Sequence, residues 1–72
     1  MTLHANFRFI LNQRNIHTLN EAKHCSELKG IAPHVIEKLW NDDPSHLKMK
    51  TLLLVSKALD ISVFDLLFYS ED

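Results

Sequence analysis

Cysteine and glycine are both scarce in this sequence, and each scarcity excludes a class of protein. The chain has one cysteine, so it forms no internal disulfide and its composition fits a reducing compartment. One glycine leaves no glycine-rich phosphate loop, and no nucleophile motif is present. A domain of 72 residues is also too small to enclose an ordinary substrate pocket. We therefore expect no enzyme.

Long hydrophobic runs are absent as well. No apolar stretch approaches the roughly 18 residues that are needed to span a bilayer, and the opening MTLHANFRF lacks the features of a signal peptide. Hydrophobic residues make up 46% and charged residues 24% of the chain, which is typical of a globular domain. The sequence predicts a single domain over residues 1–72, located in the cytoplasm and without a membrane partner.

An excess of basic charge is also missing. The net charge is −1, which taken alone argues against a nucleic-acid partner. The distribution is uneven, however, because residues 1–57 hold all eight Lys and Arg with five acids, a net of +3, and residues 58–72 hold four acids and no base. A chain polarised in this way can present a mildly basic face.

Metal-ligand spacing cannot be found either. Five histidines and Cys25 are present, but no pair falls into a spacing such as C-x2-C with H-x3-5-H. Cys25 lies on the apolar face of a predicted helix, where packing is its expected role. We expect no metal, no cofactor and no small-molecule ligand.

What the sequence does contain is helical periodicity. Apolar residues recur at helical spacing and no segment alternates over the length of a strand. The pattern predicts an all-α, compact domain of five short helices. These helices are expected at about residues 3–15, 18–29, 33–41, 51–59 and 62–69.

Capping signals set the predicted helix boundaries. Thr18 and Glu21 form a capping box at the start of the second helix. Gly30 is expected to end that helix in a conformation with positive φ. Pro33 suits the first position of the third helix, and Ser62 caps the fifth.

The second helix, the turn at Gly30 and the third helix together predict a helix-turn-helix over about residues 18–41. In such a unit the second helix of the pair enters the DNA major groove. Ile36 and Leu39 should face inward. The outward residues are Pro33, His34, Glu37, Lys38 and Asn41.

These outward side chains have the chemistry that base recognition requires. Lys38 can donate to guanine, Glu37 can accept from the cytosine amino group, and His34 or Asn41 can donate to an acceptor. Backbone N–H groups near Thr18 can bind phosphate. The loop that follows the third helix adds three further candidates for phosphate contact, which are His46, Lys48 and Lys50.

At this point the sequence resembles the lambda-repressor-like, Cro/CI-type helix-turn-helix domains over nearly its whole length. The family's turn corresponds to Gly30, Ile31 and Ala32, and its recurring ending to TLLLVSKALDISVFDLL. The resemblance implies a DNA-binding domain and double-stranded DNA as its partner. It places the base-reading positions at Pro33, His34, Glu37 and Lys38, and the phosphate contacts near Thr18, Asn41 and the loop lysines.

The chain departs from the family pattern at several positions. Ala32 occupies the N-cap of the third helix, where Ser or Thr is usual, and this forfeits about 1 kcal/mol of capping. Trp40 and Asp42 stand where the family often has Glu and Gly. Asp42 and Asp43 are expected to end the helix in a loop and to repel nearby phosphates. The second helix is expected to be about one turn longer than usual.

Two interpretations of the surface remain open. Trp40 can pack in the core or contact a partner, and Phe64, Phe68 and Tyr69 can close the core or form a patch for a homodimer. The first functional hypothesis is a sequence-specific transcriptional regulator of the Cro/CI type, such as a repressor. The second is a helix-turn-helix scaffold that binds protein as an antirepressor-like or adaptor module.

Overall fold

The protein combines the predicted set of short helices with a small antiparallel sheet. The computed structural model describes residues 2–71. In chain order, the elements are β1 (Thr2–Ala5), α1 (Phe7–Gln13), α2 (Leu19–Lys23), a 3-10 helix (Ser26–Leu28), α3 (Pro33–Trp40), α4 (Met49–Ala58), α5 (Val63–Leu66) and β2 (Leu67–Ser70). The helical part of the prediction is confirmed, and the strictly all-α assignment is not.

The start of the first predicted helix and the end of the fifth are wrong, because β1 and β2 occupy those positions. β1 pairs with β2 antiparallel, with His4 opposite Phe68 and Leu3 opposite Tyr69. Leu3 and Phe7 do have helical spacing, but the pairing of β1 with a segment far along the chain overrides that local preference. The aromatic pair Phe68 and Tyr69 suits a strand better than a helix. The first helix therefore begins only at Phe7, and the fifth ends at Leu66.

The second helix is shorter than predicted. α2 ends at Lys23, and a 3-10 turn continues the chain to Leu28, which is buried. At its start, Glu21 donates its N–H to Oγ1 of Thr18 at 3.1 Å, which confirms the predicted cap. The Thr18 hydroxyl in turn donates to Oε1 of Glu21 at 3.1 Å.

Gly30 does not have the conformation that we expected of it. Its φ is not positive, and a Cβ added to it would meet no atom within 4 Å. The left-handed conformation occurs instead two positions after the last residue of α1, α3 and α4, at Asn15 (φ 64°), Asp42 (58°) and Asp60 (56°). In each case the residue that follows donates its N–H to the carbonyl oxygen five residues before it, at 2.8–2.9 Å. These helices thus end in Schellman motifs in which Asn or Asp takes the usual position of glycine.

The core is continuous across the helices. α3 packs against α2 and α1, and α5 packs against α4. The buried apolar side chains are Phe7, Ile10, Leu11, Ala22, Leu28, Val35, Ile36, Leu39, Trp40, Leu52, Val55, Leu59 and Leu66. The predicted inward positions of the third helix, Ile36 and Leu39, are confirmed. Within residues 2–71 no helix has both the length and the apolar character needed to cross a membrane.

Candidate nucleic-acid interface

α3 begins at the predicted residue and is held by four buried side chains on one face. Pro33 occupies its first turn, and Val35, Ile36, Leu39 and Trp40 are buried. The N-cap residue Ala32 makes no side-chain cap. The orientation of α3 therefore depends on packing against α1 and α2 and on contacts at its end, because its start contributes no side-chain hydrogen bond.

The polar residues predicted to read bases lie together on the outer face of α3. His34, Glu37, Lys38 and Asn41 line one shallow surface depression of about 310 Å³, and Asp43 completes its rim. Pro33 is exposed but lies apart from them, in a depression between α2 and α3. Four of the five outward residues thus share one accessible surface, which we call the outer face of α3.

Two ion pairs balance the charge on this surface. Lys23 of α2 lies 3.4 Å from the Glu37 carboxylate, and Lys38 lies 3.7 Å from that of Asp43. The carboxylate side chains are about half exposed, and exposed pairs of this kind contribute only about 0–1 kcal/mol. Each pair can therefore be exchanged for a contact with a base or a phosphate at small cost.

Apart from Asn41, which lies on the outer face of α3, the residues predicted to contact phosphate lie at two other positions. Thr18 caps α2, so its hydroxyl is already used within the protein. His46, Lys48 and Lys50 are exposed around the start of α4, and Lys48 is its N-cap residue. Neither lysine forms an ion pair within residues 2–71. Their charges and the first N–H groups of α4 are available to an anion.

Asp42 does more than end the helix in a loop, which was the role expected from the sequence, because its side chain contacts β1. Both of its carboxylate oxygens are directed to β1, where Oδ1 accepts the N–H of Ala5 at 2.7 Å and Oδ2 lies 2.7 Å from Nδ1 of His4. The pKa of Asp42 is lowered from its ordinary value of 3.8, first by the hydrogen bond with His4 and then by that from Ala5. Sequence reasoning missed His4 and Ala5, because the only signal was an acid after a helix.

Trp40 is buried, in agreement with the packing alternative. Arg8 of α1 donates from Nη2 to the carbonyl oxygen of Trp40 at 2.9 Å, and its guanidinium carbon lies 5.0 Å from the centroid of the indole ring. This geometry is that of a cation–π contact. The end of α3 is thus held by α1 through Arg8 and by β1 through Asp42.

The aromatic residues around β2 do not close the core. Phe64 is 88% exposed and Tyr69 65% exposed, whereas Phe68 is about half exposed and stacks on His4. Together with Met49 and Leu3, these aromatics line an apolar groove of about 390 Å³ beside β2. We call this surface the β2 groove.

Comparison with known proteins gives one result. A family model described as the Cro/C1-type HTH DNA-binding domain matches residues 6–72. No curated protein and no solved structure gives a significant match. The matched range includes α1 to α5, and so it contains the outer face of α3.

Proposed function

The chain belongs to the family of Cro/C1-type helix-turn-helix DNA-binding domains, and from this premise we propose that it is a sequence-specific transcriptional regulator, such as a repressor, that reads duplex DNA with α3. The family is a DNA-binding and non-enzymatic one. The whole of residues 1–72 is proposed to be one such domain, acting in the cytoplasm. The observation that supports this proposal best is the outer face of α3.

Base reading is assigned to the side chains of that face. Glu37 would accept from the amino group of cytosine, Lys38 would donate to guanine O6 and N7, and His34 or Asn41 would donate to an acceptor. Pro33 begins the helix and would lie close to the DNA. Lys38 would leave Asp43 when it donates to a base, and this exchange is cheap because the pair is exposed and 3.7 Å long.

Phosphate contacts are assigned to the start of α4 and to Thr18. His46, Lys48 and Lys50 surround the first turn of α4, and the N–H groups of that turn would add to their attraction for a phosphate. At Thr18 the contact would come from the backbone around the start of α2, because the hydroxyl is used in the cap. So few basic groups imply a shallow dependence of affinity on salt.

We further propose that two copies associate through the β2 groove. The N–H of Asn6 donates to the carbonyl of Leu66, which lies opposite it when the register of the sheet is continued by one position. Pairs with and without mutual hydrogen bonds alternate along an antiparallel sheet. Leu3 and Tyr69, three positions away, are therefore a pair without mutual hydrogen bonds. The N–H and C=O of Tyr69 therefore point away from β1, to the outer edge of β2. An open edge next to exposed Phe64 and Tyr69 favours antiparallel pairing with a second β2. Trp40 would take no part because it is buried, and Phe68 would contribute only the part of its ring that is not stacked on His4.

The alternative function is a protein-interaction module with little DNA affinity. It is favoured by the net charge of −1 and by the exposure of Phe64 and Tyr69. In this case the β2 groove would bind another protein, and the outer face of α3 would have no ligand.

Selection of bound duplexes from a random-sequence library tests the proposed function. We expect the wild-type chain to enrich a defined sequence. The double mutant His34→Ala, Lys38→Ala should lose at least about tenfold in preference for it over random DNA, because each lost base contact is worth about 1–3 kcal/mol. Lys57→Ala is a matched control, since it removes a positive charge from α4, outside the outer face of α3. Failure of the wild type to enrich any sequence would contradict sequence-specific reading.

A further inference from the structure

Asp42, which lies two positions after the end of α3, is connected to β1 by two hydrogen bonds. Asp42 lies in the left-handed conformation, and its carboxylate accepts the N–H of Ala5 and contacts Nδ1 of His4, each at 2.7 Å. The next residue, Asp43, donates its N–H to the carbonyl of Lys38 at 2.8 Å. The carboxylate that reaches β1 therefore belongs to the same turn that closes α3.

His4 extends this connection to the second strand. An ionised carboxylate only accepts hydrogen bonds, so Nδ1 of His4 must be the donor to Asp42. The opposite nitrogen, Nε2, lies 2.7 Å from Oγ of Ser70. The ring also stacks on Phe68, with centroids 5.2 Å apart and planes inclined by 21°. One imidazole thus connects β1, β2 and the end of α3, and we call this arrangement the His4–Asp42 latch.

The order of groups in the latch is that of a hydrolase triad, in which a carboxylate orients a histidine next to a serine. Catalysis would also need a pair of fixed N–H donors for the oxyanion. The Cro/C1-type family to which the chain belongs is DNA-binding and non-enzymatic. We assign the latch a structural role.

We infer that His4 and Asp42 are positioning residues for DNA reading, which hold the end of α3 so that its outer face keeps a fixed orientation. The inference rests on the function proposed above. A recognition element must be held to within about 0.5 Å and 10–20° of its working geometry. α3 has no side-chain cap at its start, and at its end it is fixed by the latch and by the contact of Arg8 with Trp40.

A purely electrostatic role for Asp42 predicts a different effect on DNA binding when its carboxylate is removed. If Asp42 acted only as a negative charge near phosphates, then its removal would strengthen binding to selected and random duplexes alike, and the preference between them would not change. The charged and titratable groups around the carboxylate are His4 from β1 and Arg8 from α1. If Asp42 acts by position, removing its hydrogen bonds should instead weaken the preference for the selected sequence.

Two substitutions of Asp42 separate charge from position. Asp42→Asn and Asp42→Gly remove the same charge, and both residues tolerate positive φ. Asparagine keeps an acceptor for Ala5 and a group that can bond to the other tautomer of His4, whereas glycine keeps neither. Asp60→Gly makes the same backbone change after α4, where φ is also positive, and it is the control for backbone flexibility.

The first readout is hydrogen exchange of the protein without DNA. The amide of Asp43 should exchange about thirtyfold faster in Asp42→Gly than in Asp42→Asn, because two hydrogen bonds of about 1 kcal/mol each are lost. His4→Leu should produce an intermediate rate, and Asp60→Gly should leave this amide unchanged. Equal rates in the two Asp42 variants would overturn the inference, whatever the DNA results are.

The second readout is the ratio of the affinities for the selected duplex and for random duplex. Asp42→Asn and Asp60→Gly should stay within about threefold of the wild type. Asp42→Gly should lose about tenfold or more, because both hydrogen bonds that hold the end of α3 are lost. Equal ratios in the two Asp42 variants would overturn the positioning role while leaving the proposed function intact. If the wild type selects no sequence, the proposed function and its positioning residues fail together, and the exchange data then show only whether the latch holds the helix.

Discussion

The backbone N–H of Ala5 donates a 2.7 Å hydrogen bond to Oδ1 of Asp42, which lies 37 positions further along the chain. Alternation in the sheet explains why this N–H is free to do so, since Ala5 is opposite Leu67 at a position without mutual hydrogen bonds. One carboxylate thus satisfies the edge of β1 and fixes the turn after α3. The sheet and the proposed reading helix are coupled by this contact.

The Asp42 contacts predict a specific acid dependence of stability. Its pKa is lower in the folded protein than its ordinary value of 3.8, so the stabilisation is complete above that value and is lost as the pH falls through the folded pKa. Between pH 6 and pH 2.5, urea unfolding should show the wild type losing more stability than Asp42→Asn, which has no carboxyl to titrate. The other carboxylates are common to both proteins. A difference in unfolding free energy that does not change with pH would contradict this account.

The conformation of Gly30 predicts that alanine is tolerated there. Its φ is not positive and the space around its Cα is open, so Gly30→Ala should raise the free energy of unfolding by about 0.4–1 kcal/mol through the unfolded chain. Asn15→Ala is the matched comparison, because its φ is 64° and alanine pays about 1 kcal/mol there. Thermal unfolding should therefore give opposite shifts of Tm. A lower Tm for Gly30→Ala would contradict this prediction and would support the need for glycine in the turn that was expected from the sequence.

Helices with their own local signals were predictable from the sequence, and the parts that depend on distant residues were not. Pro33 as the start of α3 and Thr18 as a cap follow from local chemistry, and both are confirmed. The two strands were missed because Leu3 and Phe7 have helical spacing, and only pairing with β2 decides otherwise.

The same distinction applies to the candidate site. The outward residues of α3 follow from periodicity within one helix, so His34, Glu37, Lys38 and Asn41 could be grouped in advance. The His4–Asp42 latch joins residues 38 positions apart. No pattern in a single sequence predicts that contact.

The exposed aromatics predict self-association. If two copies pair through the β2 groove, then sedimentation equilibrium should give a mass approaching twice the chain mass of 8.4 kDa as concentration rises. The double mutant Phe64→Ser, Tyr69→Ser should remain monomeric, because it removes the apolar surface at the open edge. Phe9→Ser is the control, since Phe9 is 57% exposed but lies on α1. A wild-type chain that stays at the monomer mass throughout would remove the homodimer from the proposal.

Binding to random-sequence duplex DNA at increasing salt tests the central claim most directly. We predict measurable binding at about 50 mM salt, with log K falling linearly with log salt concentration. Lys48→Ala combined with Lys50→Ala should make that slope shallower by about 2, one unit for each lost phosphate contact. Lys57→Ala, which removes a positive charge from the last turn of α4, is the control for altered net charge and should leave the slope unchanged. The absence of binding by the wild type at about 50 mM salt would contradict the account, because nonspecific affinity depends on phosphate contacts and rises as the salt concentration falls.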